Sequence, residues 1–344
     1  MNSDSILRGM FKDKVVLITG GTGYLGRCLV RRFLGLGVSS IRLFSRDEVK
    51  HHLVQEMFGH DGRLRSLIGD VRDIDRLRKA VRGVDYVIHA AALKRLDLIE
   101  YNVEESIKTN VLGTLNVANV CLEANVKTAV FVSTDKACSP VNTYGAGKFV
   151  GERIFTETNF SKGSSSTIFT CVRYGNVMES TGSVIPLFLR KMREGQKIPL
   201  TSEEMTRFFI TPDEAVDLVL KAFIHGVGGE VFVPILPAFR IVDLISVLRN
   251  RCNSKAEVEV IGLRPGEKIH EQMINSAELD MSLDLGHVYA ISSCIDQFQD
   301  HLDVSRYGVH RRLDLSGLKE YSSEHNLRTQ EELASLLERS GVLV

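Results

Sequence analysis

Val15-Val16-Leu17-Ile18-Thr19-Gly20-Gly21-Thr22-Gly23-Tyr24-Leu25-Gly26 runs from an unbroken apolar stretch straight into a glycine-rich turn. The first five residues read as a strand buried on both faces. From about Tyr24 a helix follows, with Leu25, Val30, Phe33 and Leu34 on its apolar side. Gly20 permits the tight turn, Gly23 lets main chain approach a pyrophosphate, and Gly26 lets the helix pack on the sheet. Glycines alone would describe an ordinary loop. The strand before and the helix after make this a dinucleotide-binding turn.

Outward from that turn, strand and helix patterns alternate. Ile41-Arg42-Leu43-Phe44 is a second strand and Leu64 to Ile68 a third. Asp85-Tyr86-Val87-Ile88-His89 is a fourth, ending in Ala90-Ala91-Ala92, and Thr128 to Val132 is a fifth. One continuous helix is expected over about Val103 to Ala124. Such alternation predicts an α/β fold with a doubly wound parallel sheet whose ligands lie at the carboxyl ends of its strands. After about Tyr174 the alternation breaks down. Pro186–Glu194, Pro212–Phe223 and Ile241–Asn250 read as helices, Glu230–Val233 and Glu257–Ile261 as short strands, and a charged amphipathic helix starts at about Thr329. The division expected is a dinucleotide-binding domain over residues 1–175 and a smaller substrate-binding cap over 176–344, with some chain crossing back to the first domain.

The strand ends carry the candidate cofactor contacts. An acid at the end of the second strand would suit NAD, whereas this chain reads Ser45-Arg46-Asp47-Glu48 with Lys50 close behind. A hydroxyl and a guanidinium suit a 2′-phosphate, so NADP is the cofactor expected. The alternative leaves Arg46 in solvent and gives the ribose to Asp47. Asp70-Val71, closing the third strand, meets the adenine, unless Asp70 caps the next helix.

The fifth strand ends in Ser133-Thr134, followed by Asp135-Lys136 and then by Tyr144 and Lys148. A tyrosine one helical turn before a lysine shares its face, where the ammonium lowers the phenol's pKa. The phenolate takes a proton from a sugar hydroxyl while a nicotinamide takes the hydride. A plain alcohol dehydrogenase would not need the extra acid and amine of Asp135 and Lys136; elimination of water would. Their bland readings are a turn cap and a surface charge. Cys138, three residues past Asp135, is expected to line the mouth of the site. Arg173-Tyr174-Gly175-Asn176-Val177 suits substrate or nicotinamide contacts. Met205-Thr206-Arg207 and Leu263-Arg264-Pro265-Gly266-Glu267-Lys268 each offer an arginine, which together suit the diphosphate of a nucleotide sugar.

Bulk composition is consistent with this. At 344 residues, Lys+Arg and Asp+Glu balance at 43 each, so no field invites nucleic acid or an anionic membrane. The six cysteines (Cys28, Cys121, Cys138, Cys171, Cys252, Cys294) form no CxxC pair, which argues for reduced thiols in a cytosolic setting. The ten histidines show no metal-ligand spacing; His89 reads as structural and His51-His52 as surface residues. Met1 to Lys14 has no apolar core of a signal peptide, and no apolar run approaches the ~20 residues of a membrane span. A cytoplasmic protein is expected.

Together these residues resemble the extended short-chain dehydrogenase/reductase superfamily. Within it, the chain is similar to the soluble UDP-N-acetylglucosamine 4,6-dehydratases that invert carbon 5, the pseudaminic-acid pathway type. The resemblance runs from about Phe11 to about Leu337. Its most specific pieces are Ser45-Arg46-Asp47-Glu48, Ala91-Ala92-Leu93-Lys94, Ser133-Thr134-Asp135-Lys136-Ala137, Met205-Thr206-Arg207-Phe208, Arg264-Pro265-Gly266-Glu267-Lys268 and Tyr321-Ser322-Ser323. It implies that Tyr144 removes the proton of the carbon 4 hydroxyl and that Lys148 holds the nicotinamide ribose. It implies further that Lys136 abstracts the carbon 5 proton and that a protonated Asp135 releases the carbon 6 hydroxyl as water. Implied cofactor contacts are Gly20, Thr22, Gly23, Tyr24, Leu25, Gly26, Ser45, Arg46, Asp47, Glu48, Lys50, Asp70, Val71, Ala90, Ala91, Lys94, Ser133, Tyr144, Lys148 and Val177. The substrate, a UDP-sugar, would meet Lys94, Lys136, Asn176, Arg207, Arg264, Glu267 and Tyr321. A homo-oligomer, dimer or hexamer, is also implied.

Retaining glucose-type dehydratases typically have Asp-Glu at Asp135-Lys136, and the large membrane-anchored relatives usually have Met at Tyr144. This chain departs from the resembled pattern at Cys138-Ser139, at Thr181, where arginine is usual, and at Gly147. The other reading is a nucleotide-sugar 4- or 5-epimerase, or a capsule-type dehydratase/5-epimerase, on the same fold. A non-catalytic nucleotide-binding partner is disfavoured by the intact Asp135, Lys136, Tyr144 and Lys148 set.

Overall fold

The computed structural model describes residues 3–180, 183–293, 295, 304–308 and 310–340; Thr181 and Cys294 lie outside them. Six parallel strands form the centre: β1 Val15–Thr19, β2 Ser40–Ser45, β3 Leu64–Ile68, β4 Tyr86–His89, β5 Thr128–Val132 and β6 Ile168–Val172. Their spatial order is β3-β2-β1-β4-β5-β6, the doubly wound order, with its crevice between β1 and β4. The sheet continues past β6 with the parallel strand Val231–Val233 and then the antiparallel strands Tyr289–Ile291, Ser282–Asp284 and Arg311–Arg312. Central strands β4 and β5 are buried at every position, as a sheet covered by helices on both faces requires. β3, at the edge, exposes Arg65, Ser66 and Ile68.

A second core gathers Met178, Ile185, Phe188, Ile198, Phe209 and Leu244 with Leu333 and Leu337 of the last helix. Small sheets frame it: Ile198–Leu200 beside Val258–Val260, and Thr206–Ile210 between Asn176–Val177 and Ala238–Arg240. No helix among the described residues is long and apolar enough to cross a membrane.

The helix expected over Val103 to Ala124 is not uniform. An α-helical turn at Val103–Ser106 passes into a π-helical segment, Ile107–Leu112, before α-helix resumes at Gly113–Glu123. Asn110 lies in the widened turn. Its side chain accepts from Leu93 N at 2.8 Å and donates to Leu93 O at 2.9 Å, bracing the loop after β4. Hydrophobic periodicity does not register one inserted residue, because both flanking helices still bury a side.

Arg173, at the end of β6, is 1 % exposed. Its guanidinium donates to both Glu152 oxygens (3.0 and 2.6 Å), to both Glu278 oxygens (2.8 Å each) and to Met273 O (2.7 Å). Glu152 belongs to the helix Thr143–Ser161 and Glu278 to the short helix Ser276–Leu279, so one side chain ties these elements to the sheet. Arg173 is therefore not a ligand contact, contrary to the expectation for its segment. Arg173→Met should cost about 3–5 kcal/mol, because it leaves two buried carboxylates without a cation. Urea unfolding measures this, and a loss below about 1 kcal/mol would show that the clamp is dispensable.

Candidate active site

At the turn, Gly20 has φ +69°, and a Cβ there would stand 2.9 Å from Ala91 Cα. Main chain of the turn thus lies directly against main chain of the β4 exit. At Gly26 a Cβ would fall 2.3 Å from Gly21 O, so the helix Tyr24–Leu36 can start this close to the sheet only with glycine there. That helix has no side-chain cap and no acid in its first turn. By contrast Glu48–Met57, Ile74–Val81 and Pro212–His225 are each capped by a side chain and carry an acid there. Free amides and no negative charge at a helix start suit an anionic pyrophosphate. A dinucleotide therefore fits the residues present.

Around that turn the expected contacts are arranged as follows. Thr22 Oγ1 lies 2.9 Å from Ser45 Oγ, which lies 3.0 Å from His51 Nε2. His51 is only 3 % exposed, not a surface residue as expected; it fixes the Ser45 hydroxyl from behind. Burial pushes its imidazole below the ordinary value. Arg46 is 53 % exposed at its side chain, and its Nη1 makes a long ion pair with Asp70 Oδ2 at 3.8 Å beside the end of β2. Asp70 is held by Arg72 at 2.7 Å, and the cap of the next helix is Asp73. Asp47 caps its own helix through Lys50 N and pairs with Lys50 Nζ at 3.1 Å, while Glu48 occupies that helix's first turn. Val71 packs under Gly113, and the Tyr24 hydroxyl donates to Glu179 at 3.0 Å. His89 is structural: its ring bridges Thr19 and Thr114 at 2.7 and 2.9 Å, and burial lowers it to about 3.

Beyond β5 the chain turns through Asp135–Ala137, bringing the candidate acid and bases together. Asp135 is fully buried; its Oδ1 accepts from Thr134 Oγ1 and from Lys136 Nζ, both at 2.9 Å. Its Oδ2 and the buried Ser133 Oγ have no hydrogen-bond partner among the described residues. Lys136 Nζ also lies 3.5 Å from Glu271 Oε1. Burial works to lower the Lys136 pKa, but the Asp135 and Glu271 carboxylates outweigh it and hold the ammonium above its ordinary value.

Tyr144 follows Asn142, which caps the helix by accepting from Gly145 N at 2.7 Å, while Glu100 accepts from Thr143 N and Oγ1. Burial pushes the phenol up to about 12, and the cation that acts against this is Lys136. Lys148, one turn further along the helix, donates its ammonium to Val132 O at 2.7 Å over the Phe131 ring. Burial takes Lys148 down to about 8, against the pull of Glu152.

From the second half, the Arg264–Lys268 loop docks beside this turn: Asn142 Nδ2 donates to Gly266 O at 2.8 Å and Lys268 Nζ to Cys138 O at 2.7 Å. Arg264 is exposed there, and Glu267 accepts from Thr201 Oγ1 and Arg264 N. Lys94 is exposed on the loop that Asn110 braces, and Asn176 and Val177 are half-buried beside Phe209 and Ile210. Arg207 is buried and donates to the main-chain oxygens of Thr206, Lys268 and Ile269, so it shapes the loop instead of offering a free fork. Tyr321 is likewise buried, its hydroxyl bonded to Leu236 N and O. Glu271 was not among the expected residues. The one signal for it is a carboxylate between the basic loop and the apolar strand Gln272–Ile274.

Fold and site define an extended short-chain dehydrogenase/reductase with a dinucleotide turn, a Tyr144/Lys148 helix and an added acid–amine pair. Residues 16–293 match the family described as polysaccharide biosynthesis protein, and the chain belongs to that family. It is 42 % identical over 298 residues to the UDP-N-acetylglucosamine 4,6-dehydratase (inverting) of Campylobacter jejuni, covering 86 % of this chain and 88 % of that one. It is 39 % identical over 333 residues to a protein of Rickettsia rickettsii named UDP-glucose 4-epimerase, covering 95 % and 96 %. The solved structure of Pen from Bacillus thuringiensis superposes with a TM-score of 0.89 at 39 % identity, covering 96 % of this chain and 99 % of that one.

Cys138 does not line the mouth of the site. It is buried, with Sγ 3.6 Å from Glu278 Oε2, and burial raises its thiol to about 12. Iodoacetamide should therefore label exposed Cys252 in the native protein and leave Cys138 intact until denaturation, as peptide mass spectrometry would show. Equal labelling of the two would mean that this turn opens in solution.

Proposed function

We propose that this protein is a UDP-N-acetylglucosamine 4,6-dehydratase that inverts carbon 5, giving a UDP-4-keto-6-deoxy-L-arabino-hexosamine. The observation that carries this reading is the 2.9 Å contact between Lys136 Nζ and Asp135 Oδ1 beside Tyr144. Oxidation of an alcohol uses only the tyrosine and its helix lysine. Loss of water needs, in addition, a base for the carbon 5 proton and an acid for the carbon 6 oxygen. The Campylobacter relative's name supports the choice of sugar.

The glycine turn would hold NADP, with Ser45 and Arg46 at its 2′-phosphate and Lys148 at the nicotinamide ribose. The chemistry the cofactor supplies when bound is reversible acceptance of the hydride that leaves carbon 4 and arrives at carbon 6. Tyr144 removes the carbon 4 hydroxyl proton. The new ketone acidifies carbon 5. A proton passing along the Lys136–Asp135 hydrogen bond converts ammonium and carboxylate into amine and acid with no change in total charge. The amine then takes the carbon 5 proton, and the acid protonates the departing carbon 6 hydroxyl, so that one molecule of water is lost. Reprotonation of carbon 5 on the opposite face inverts it.

The Rickettsia relative's name favours a second reading, 4-epimerisation, which retains the carbon 6 oxygen. NMR of the product formed from UDP-N-acetylglucosamine separates the two: a 4-keto-6-deoxy sugar is the outcome expected.

Turnover in deuterated water should place one solvent deuteron at carbon 5 of the inverted product. Lys136→Ala should still bind the sugar nucleotide but lose dehydration by about 10²–10⁴-fold, and Tyr144→Phe should fail earlier, with no transient NADPH absorbance. Near-normal turnover by Lys136→Ala would remove the main support for inversion. Arg46→Ala should weaken NADP binding more than NAD binding, measured by titration of each. Equal losses would sink the 2′-phosphate assignment.

A further inference from the structure

Glu271 is 2 % exposed and immediately precedes the strand Gln272–Ile274, far along the chain from the acid–amine pair. One oxygen, Oε1, lies 3.5 Å from Lys136 Nζ and 3.8 Å from Arg207 Nε. The other, Oε2, is buried without a hydrogen-bond partner among the described residues. The main chain of Glu271 is fixed on both sides: its N donates to Ser323 Oγ at 2.9 Å, and its O accepts from Ser323 N at 2.8 Å. Ser323 Oγ is in turn 2.7 Å from Thr206 Oγ1, next to Arg207. The pinned main chain keeps this buried carboxylate within 3.5 Å of the lysine ammonium, the charge that offsets the cost of its burial.

We infer that Glu271 is a positioning residue for the Lys136 base: with Asp135 it holds the amine at the end of β5, and its charge sets the pH range in which the acid–amine pair carries a single proton. The inference rests on the reading of Lys136 as the carbon 5 base. The charged and titratable groups around the amine are Asp135 on its own turn, Tyr144 on the helix Thr143–Ser161, Arg207 on the strand Thr206–Ile210, and Glu271. Lys268 and His270 are engaged elsewhere, with Cys138 O and Thr206 Oγ1. The Asp135–Lys136 pair works only with one proton between its members, so its two macroscopic pKa values bound a bell-shaped rate profile. Removing the Glu271 charge makes protonation of every member of the cluster harder, Tyr144 included. Removing the Arg207 charge makes it easier.

The test is the pH profile of kcat for dehydration at saturating substrate. Glu271→Gln should move the whole bell to lower pH by about one unit or more, and Arg207→Gln should move it to higher pH. A purely structural role for Glu271 would lower the height of the bell without displacing it. Opposite displacements support the inference; an unmoved bell in a folded Glu271→Gln, or displacement of both variants in the same direction, overturns it. If Glu271→Gln does not fold, Glu271→Asp decides: drawing the carboxylate back from Lys136 should displace the bell to lower pH, and an unmoved bell in that folded variant overturns the inference. With Lys136→Ala inactive and the bells unmoved, only the role of Glu271 falls. A Lys136→Ala enzyme that turns over normally overturns both the base and its positioning residue.

Discussion

Arg173 has no access to water, yet it is charged, and it is satisfied only because Glu152 and Glu278 reach it from different parts of the chain. Much of the site's geometry follows from that requirement. Glu152 lies on the helix that also carries Tyr144 and Lys148, so this helix is fixed against the end of β6. Glu278 follows shortly after Glu271, so the segment bearing that carboxylate is drawn to the same place. The acid–amine pair comes from the first half of the chain, and the groups that surround it, Arg207 and Glu271, come from the second. A single buried guanidinium keeps the two contributions in register.

Charge around the crevice differs between its outer and inner parts. The helix after the glycine turn starts without a cap or an acid, and Arg46 stands exposed nearby, so an anion meets amides and a guanidinium. Deeper in, at the end of β5, the pattern reverses: a lysine lies between two carboxylates. The outer region suits binding of a multiply charged ligand, and the inner one suits moving protons within a nearly neutral cluster.

Much of the first half was legible because burial on both sheet faces imposes unbroken apolar runs. The limits read for β3 and β5 coincide with those in the structure, and the glycine turn lies at the crevice as its spacing implies. Legibility failed where the position of a side-chain tip matters more than its type. Arg207 and Tyr321 have the chemistry of sugar-nucleotide contacts, but main-chain groups from remote segments claim their polar atoms. His51 and Cys138 sit in polar stretches, and only the fold turns them inward. Glu271 was missed for the converse reason: nothing local distinguishes it, and its meaning comes from Lys136, which lies far earlier in the chain.

The π-helical segment Ile107–Leu112 has a consequence for how this region can change by descent. A single residue beyond the α-helical count rotates everything upstream of it by about 100° relative to what lies downstream. Deleting one residue there would restore a regular helix, but it would turn either Asn110 away from Leu93 or Gly113 and Thr114 away from Val71 and His89. The two anchorages are thus out of phase with each other, and only the irregular turn reconciles them. Length in this helix is therefore a quantised property: a one-residue gap must be compensated within the same turn or it severs the β4 loop from its support.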